Sequence, residues 1–203
     1  SKNPTLMDFN CNQGNWTHFF YTLPLGDKQI FIETTWISDQ QNFTKEQYIS
    51  EINEYIQKNL NYKKEYTFGY SEMGSIPMFH FQQKNKYKKV IKIGTAANLT
   101  RKSTGYTFLN IQKFTKELVQ KLIKNQIISN TQIQSKYNFL DKIFIKVLLE
   151  EKGNMHKIFF RLFKKNNAKD IVNFLSNNSS FIQDIKIILS MPKLIFFKKL
   201  LNF

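Results

Sequence analysis

Cysteine is nearly absent from this 203-residue chain, in which Cys11 stands alone. A single thiol excludes an intramolecular disulfide framework and any metal site built from several cysteines, and it suits a reducing compartment. Arginine is almost as scarce, with Arg101 and Arg161 set against 28 lysines. Arginine supplies the planar fork that reads phosphates and guanine edges, so a surplus built from lysine argues poorly for nucleic acid. No apolar run approaches the roughly 18 residues needed to span a bilayer, and no basic-then-apolar leader precedes the first strand-like segment. The expectation is a chain that neither spans the membrane nor carries a secretion signal. Neither Gly-x-Gly-x-x-Gly nor a Gly-Lys-Ser/Thr phosphate loop occurs, which removes both common nucleotide fingerprints. His18, His80 and His156 have no metal-like spacing and no adjacent nucleophile, and they read as structural or surface residues.

What is present is enough apolar material for a folded core: 41% hydrophobic and 15% aromatic residues. The formal net charge of +15 is unevenly spread. Residues 1–100 carry 11 basic and 9 acidic groups, net +2, whereas residues 101–203 carry 19 and 6, net +13. Lysine, with 21 Asn and 23 Ile, reflects a compositional bias, but its concentration belongs to the second half.

The first half reads as β-rich. Residues 17–24 and 29–37 are β-branched and aromatic and are separated by Leu25-Gly26-Asp27-Lys28, the pattern of an antiparallel hairpin, with Thr5 to Asn10 available as a third strand. Thr44-Lys45-Glu46-Gln47 has capping-box spacing, and Tyr48, Ile49, Ile52, Tyr55, Ile56 and Leu60 recur at helical intervals, predicting a helix over 45–60. Strand-like runs follow at 65–72, 76–82 and 90–93, with a lysine-rich turn at 84–89. From Thr107 the pattern turns helical, with helices expected over 107–124, 138–151, 155–164, 168–176, 181–189 and 193–201. The chain is thus α+β, an antiparallel sheet region followed by a helical C-terminal region. Organisation is expected as 1–105, β-rich, and 106–203, helical.

Three stretches have the residue types that chemistry needs. Ile93 to Tyr106 is a strand-glycine-loop-helix unit whose small residues let the backbone approach a ligand, with Ser103 or Thr104 placed to cap the next helix and leave an anion site. Glu33 sits among Phe31, Ile32, Trp36 and Ile37, where apolar neighbours would favour a protonated carboxyl group; simple alternation instead puts Phe31, Glu33 and Thr35 on one face that water could cover. Glu72-Met73-Gly74-Ser75-Ile76-Pro77-Met78 suggests a sharp bend around a pocket or an ordinary turn.

Taken together, these segments resemble the flavin-dependent lycopene cyclases of carotenoid synthesis. The resemblance runs through Met7-Asp8-Phe9, Phe20 to Leu25, Phe31-Ile32-Glu33-Thr34-Thr35, Glu72 to Met78, Gly94-Thr95-Ala96-Ala97 and Ser103 to Phe108. It continues through Phe139-Leu140-Asp141-Lys142, Ile158 to Phe163, Asn173-Phe174-Leu175 and Met191-Pro192-Lys193, and so covers nearly the whole chain. It implies part of an FAD-binding fold like that of p-hydroxybenzoate hydroxylase. The family's dinucleotide-binding half has no counterpart here, so the expectation is a C-terminal portion of a longer cyclase, inactive by itself. The implied reaction is acid-initiated and non-redox: a proton adds to a linear ψ end group of lycopene and a β-ionone ring closes. By the same resemblance Glu33 holds the acidic position of a Glu-Glu-Thr or Glu-Asp-Thr motif and is the expected proton donor, and Glu72 is the second carboxylate. Thr34 replaces the motif's second acid. Gly94, Thr95 and Ala96 are expected to face the phosphate and ribityl chain of reduced FAD, with Thr104, Gly105 and Tyr106 beside the isoalloxazine and NAD(P)H as an electron source. Lys102 stands where the family often has proline, which is expected to loosen the loop.

The implied partners are lycopene or a related carotenoid and an anionic membrane surface, met by the lysine-rich helices from the cytoplasmic side. Two other readings compete: a related isoprenoid reductase or monooxygenase with a structural Glu33, and a non-catalytic basic binding module. Nucleic acid is not expected as a partner.

Overall fold

The computed structural model describes residues 3–39, 43–79, 90–126 and 135–201. In chain order they form strands β1 (Thr5–Asp8), β2 (Thr17–Pro24) and β3 (Ile30–Ile37), then helix α1 (Lys45–Lys58) and a single 3-10 turn over Gly94–Ala97. Helices α2 (Phe108–Ile123), α3 (Ser135–Glu151), α4 (Met155–Lys165), α5 (Ala168–Leu175), α6 (Phe181–Ser190) and α7 (Lys193–Leu201) follow, with a short 3-10 segment at Lys152–Asn154. The architecture is α+β, as the sequence predicts. Two compact units arise, Ser1–Gly74 with Glu151–Lys157, and Ser75–Glu150 with Ile158–Phe203.

The first unit is built on an antiparallel sheet of order β1-β2-β3. Eight consecutive pairs join β2 to β3, from Thr17 opposite Ile37 to Pro24 opposite Ile30. Thr17 to Phe20 are all buried, so both faces of β2 are covered. Phe19 and Tyr21 share one face, ring edge to ring face at 5.7 Å with Phe9 and 5.2 Å with each other respectively for Phe19. His18, Phe20 and Thr22 share the other, on which α1 packs: Tyr55 stacks on Phe20 at 4.0 Å. The capping box holds α1 at its start, with Thr44 Oγ1 accepting from the Gln47 amide and Gln47 Oε1 accepting from the Thr44 amide. β1 departs from regular pairing between Thr5 and Asp8, where Leu6 and Met7 stand opposite the single residue Tyr21. Met7 takes up the irregularity at a φ of +55°. The bulge directs Asp8 toward α1, where its Oδ2 accepts from the Tyr55 hydroxyl at 2.6 Å.

Several strand expectations fail. Residues 65–72, 76–79 and 90–93 carry the β-branched and aromatic composition of strands but form no ladder. Strand propensity records fit to a pleated, half-buried surface, and these segments pair with nothing among the described residues. The rest of the 76–82 run, the turn at 84–89 and His80 lie outside the described residues.

In the second unit, Leu99, Phe114 and Leu118 form a core beneath the Gly94 turn, joined by Ala97 and Ile111. A second contact region centres on α3, whose Tyr137, Asp141 and Val147 are essentially inaccessible to solvent. Further along, α5 and α6 are held at their starts by Asn167 and Ser180 caps, and Gln183 Nε2 on α6 reaches Asp170 Oδ1 on α5 at 2.6 Å.

Candidate active site

Glu33 lies on β3 opposite Tyr21, on the sheet face that carries Phe19 and Thr35. Its carboxylate accepts from Thr35 Oγ1 at 2.9 Å and is exposed. The alternation of the strand therefore prevails: this face is covered at its Thr17 and Phe19 end, where Thr17 Oγ1 donates to the Lys152 carbonyl, while Glu33 itself stays exposed. Burial, followed by the negative charge of Glu33, holds the Tyr21 phenol up to about 12, so it remains neutral near the carboxylate. Glu72 is exposed in irregular chain and accepts from the Tyr70 hydroxyl at 2.9 Å. Gly74 faces open space where a β-carbon would stand, so the sharp bend is not enforced by packing there.

The other six predicted residues are drawn together by the loop of the second unit. Gly94 is buried at φ +68°, and a β-carbon there would lie 3.3 Å from Ile111 Cδ1, so this glycine answers both to backbone conformation and to the approach of α2. Thr95 and Ala96 are exposed within the 3-10 turn. Thr100 ties the two ends of the loop, its Oγ1 lying 3.4 Å from Thr95 Oγ1 and 2.9 Å from Thr107 Oγ1. Thr104 Oγ1 accepts from the Tyr106 amide, and Gly105 at φ +71° sits against Ile76. The expected helix caps are thus committed elsewhere. Ser103 donates to Asp141, and α2 begins at Thr107 without a side-chain cap, leaving the amides of its first turn available.

Two residues that the sequence did not single out fix this loop. Arg101 is fully buried and forks onto Asp141 of α3, with Nε 3.1 and 3.0 Å from the two carboxylate oxygens and Nη2 2.6 Å from Oδ1. Its Nη1 donates to the Phe174 carbonyl and to Asn177 Oδ1, and the guanidinium lies over the rings of Tyr137 and Phe174 at 4.8 and 5.1 Å. Lys102 overturns the loosening expected of it. Its amide donates to Asp141 Oδ2 at 3.0 Å, which a proline could not do, and only 4% of the residue is exposed. Burial pulls its ammonium group down to about 8, against the opposing pull of Asp141.

A third cluster occupies the α1 side of the sheet. Thr34, at the motif position where an acid is expected, touches both His18 and Glu51: its Oγ1 lies 2.8 Å from His18 Nε2 and donates to Glu51 Oε2 at 2.8 Å. Glu51 also accepts from Trp36 Nε1 at 3.0 and 3.1 Å, and the His18 ring stacks on Trp36 at 3.9 Å. A carboxylate therefore lies beside Thr34, supplied from α1. The cue in the sequence was the departure itself, a hydroxyl where an acid belongs.

A family model described as lycopene cyclase protein matches residues 1–201. The chain belongs to the lycopene cyclase family. Membership points to a role in carotenoid cyclisation and to a carotenoid as substrate. Comparison with curated proteins and with solved structures returns no match. Among the described residues no group of three or more His, Cys, Asp or Glu is arranged to hold a metal ion, and no helix is long and apolar enough to cross a membrane.

Proposed function

We propose that the chain is the substrate-side and C-terminal part of a flavin-dependent lycopene β-cyclase, with Glu33 as the acid that starts ring closure. The observation carrying this reading is the family match across 1–201, combined with an exposed carboxylate at the motif position beside the aromatic residues Tyr21 and Phe31. Glu33 gives its proton to the terminal alkene of a ψ end group, the neighbouring double bond attacks the resulting cation to form the ring bond, and loss of a ring proton restores neutrality. No electron is gained or lost overall. An apolar chain laid over a carboxyl group favours its protonated form, so binding substrate on the exposed face prepares the donor. Tyr21 and Phe31 contribute ring faces next to developing positive charge.

The residues present fit a flavin in one respect that bears on binding. The uncapped amides in the first turn of α2 are a donor set for an anionic phosphate chain, beside a loop held in place by the Arg101–Asp141 pair. Gly94, Thr95 and Ala96 would hold that part, with Thr104, Gly105 and Tyr106 alongside the ring system. Reduced flavin, when bound, supplies electron density beside a carbocation.

The carotenoid dissolves in membranes, and the helical region suits an anionic surface. Leu194, Phe197 and Leu201 recur along α7 and are 61 to 80% exposed, interleaved with Lys193, Lys198 and Lys199. On α6, Ile182, Ile185 and Leu189 repeat the pattern beside Lys186.

The deciding experiment expresses the complete coding region that carries this chain in cells that accumulate lycopene. Red cells turning yellow, with monocyclic or bicyclic β-ring product, support the proposal. Reduced or hydroxylated isoprenoid without rings would replace it with the reductase or monooxygenase reading.

A further inference from the structure

The cluster behind Thr34 has a proton count that its geometry does not leave free. His18 Nδ1 lies 2.7 Å from the Asn12 carbonyl oxygen, which only accepts, so Nδ1 carries hydrogen. A neutral ring then presents Nε2 as an acceptor. Thr34 Oγ1 sits 2.8 Å from that nitrogen and 2.8 Å from Glu51 Oε2, and the hydroxyl owns one proton for two acceptors. With neutral His18 and ionised Glu51, one of these two short contacts has no hydrogen in it. One further proton fills both. It can reside on His18, with Nε2 donating to Thr34 and Thr34 donating to Glu51, or on Glu51, with both donations reversed. The two forms differ by the shift of two hydrogens about Thr34 Oγ1, whose partners Nε2 and Oε2 lie 3.6 Å apart, and by no heavy-atom movement.

We propose that His18, Thr34 and Glu51 form a single proton-binding relay, loaded at the buried imidazole and emptied at Glu51. Its ends differ in access, since the His18 side chain is 3% exposed and that of Glu51 is 22%. When a base approaches Glu51, the Nε2 proton passes to Thr34, the Thr34 proton passes to Glu51, and Glu51 releases one proton to the base. His18 ends neutral, the hydroxyl is restored, and the carboxylate is regenerated. Glu51 is the end that exchanges the proton with an outside base, and His18 and Thr34 are positioning residues acting through it.

The nearest thiol and phenols do not compete for this proton. Burial, then Asp8 and Glu51, push the Cys11 thiol up to about 12, while burial and Asp8 push the Tyr55 phenol well above its usual range and burial and Glu51 raise Tyr48. Burial lowers the His18 imidazole, and the Asn12 carbonyl and Glu51 oppose it, which is the balance a site must have to release as well as hold its proton. Its use in delivering or removing a proton during ring closure rests on the function proposed above, whereas the relay itself does not.

The test uses the 203-residue chain without cofactor or carotenoid. Nitrogen-15 shifts of the His18 ring and the carbon-13 shift of the Glu51 carboxyl group are followed from about pH 4 to about pH 9, the span that brackets ordinary carboxyl and imidazole titration. A shared proton gives one common midpoint at both nuclei. Thr34→Val separates the two midpoints by about one pH unit or more, a tenfold difference in proton affinity, and Thr34→Ser brings them back together. Separate midpoints in the unaltered chain, or a valine variant that behaves like it, overturn the relay. If the valine variant does not fold, Glu51→Gln decides through its shift of the His18 midpoint, and an unmoved His18 overturns the relay. A common midpoint without cyclisation in any form of the enzyme would remove the proposed function and leave the relay; cyclisation with separate midpoints would do the reverse.

Discussion

Asp141 receives both arms of the Arg101 fork across forty positions of sequence, at 2.6 to 3.1 Å and out of reach of water. The same carboxylate accepts from the Lys102 amide at 3.0 Å and from Ser103 Oγ at 2.7 Å. Four donors from three consecutive residues thus converge on one side chain of α3, and the loop from Gly94 to Tyr106 takes its shape from that convergence. Asp141→Asn leaves a buried guanidinium without its counter-charge, a loss of about 3–5 kcal/mol for a buried pair broken on one side. Denaturant unfolding followed by far-ultraviolet circular dichroism checks it, since both tryptophans, Trp16 and Trp36, belong to the other unit.

Lys102 gives the protein an alkaline signature. The folded chain releases its proton near pH 8, whereas the unfolded chain holds it to the ordinary value of 10.5. Across that interval the unfolded state binds more protons, so stability rises with pH. Lys102→Met removes the slope and stabilises the chain near pH 7 by on the order of 1 kcal/mol, because a charge no longer has to be buried there. Urea titrations at neutral and mildly alkaline pH distinguish the two chains.

Lys102→Pro tests the other half of the residue. The pyrrolidine ring removes the N–H that Asp141 accepts, with an expected destabilisation of about 1–3 kcal/mol for a buried acceptor stripped of one donor. A proline variant as stable as the methionine variant would mean that the amide contributes nothing.

Gly94→Ala meets two obstacles, a φ of +68° and Ile111 Cδ1 at 3.3 Å. The left-handed conformation alone costs about 1–2 kcal/mol. Adding Ile111→Val relieves only the contact, so the double variant recovers part of the loss and the residual measures the backbone share.

Glu33→Gln keeps the size of the side chain and its bond from Thr35 but cannot supply a carboxyl proton. Loss of a general acid lowers turnover by about 10²–10⁴-fold. Carotenoid composition of lycopene-accumulating cells reads this directly, and unchanged ring formation would move the donor role to another carboxylate.

Much of the framework was legible in local patterns. The hairpin followed from alternation around Leu25 to Lys28, α1 from its capping box, and α3 to α7 from periodicity broken at Gly153 and Pro192. Local composition misled at 65–72, 76–79 and 90–93, because a strand is completed by a partner and nothing in those residues announces whether one exists. The glycines and threonines of the 94–106 loop were visible as a group, but what anchors them was not. Arg101 and Asp141 lie on different elements and share no period, so their pairing is a tertiary fact. The same holds for Glu51, which reads as one more polar position on an amphipathic helix until β3 places Thr34 against it.

β3 spans Ile30–Ile37 as one edge of the sheet, eight residues rich in β-branched and aromatic side chains with Glu33 as their only charge. An edge strand of that composition is a template for addition of another strand, and a single charge at its middle is the kind of gatekeeper that prevents it. The carboxylate is thus expected to hold off self-association, apart from the chemical role proposed for it. Removing it, by substitution or by acid, invites self-association through Ile30–Ile37, so a variant at position 33 must be compared with the parent as a soluble species before its lost turnover is ascribed to chemistry.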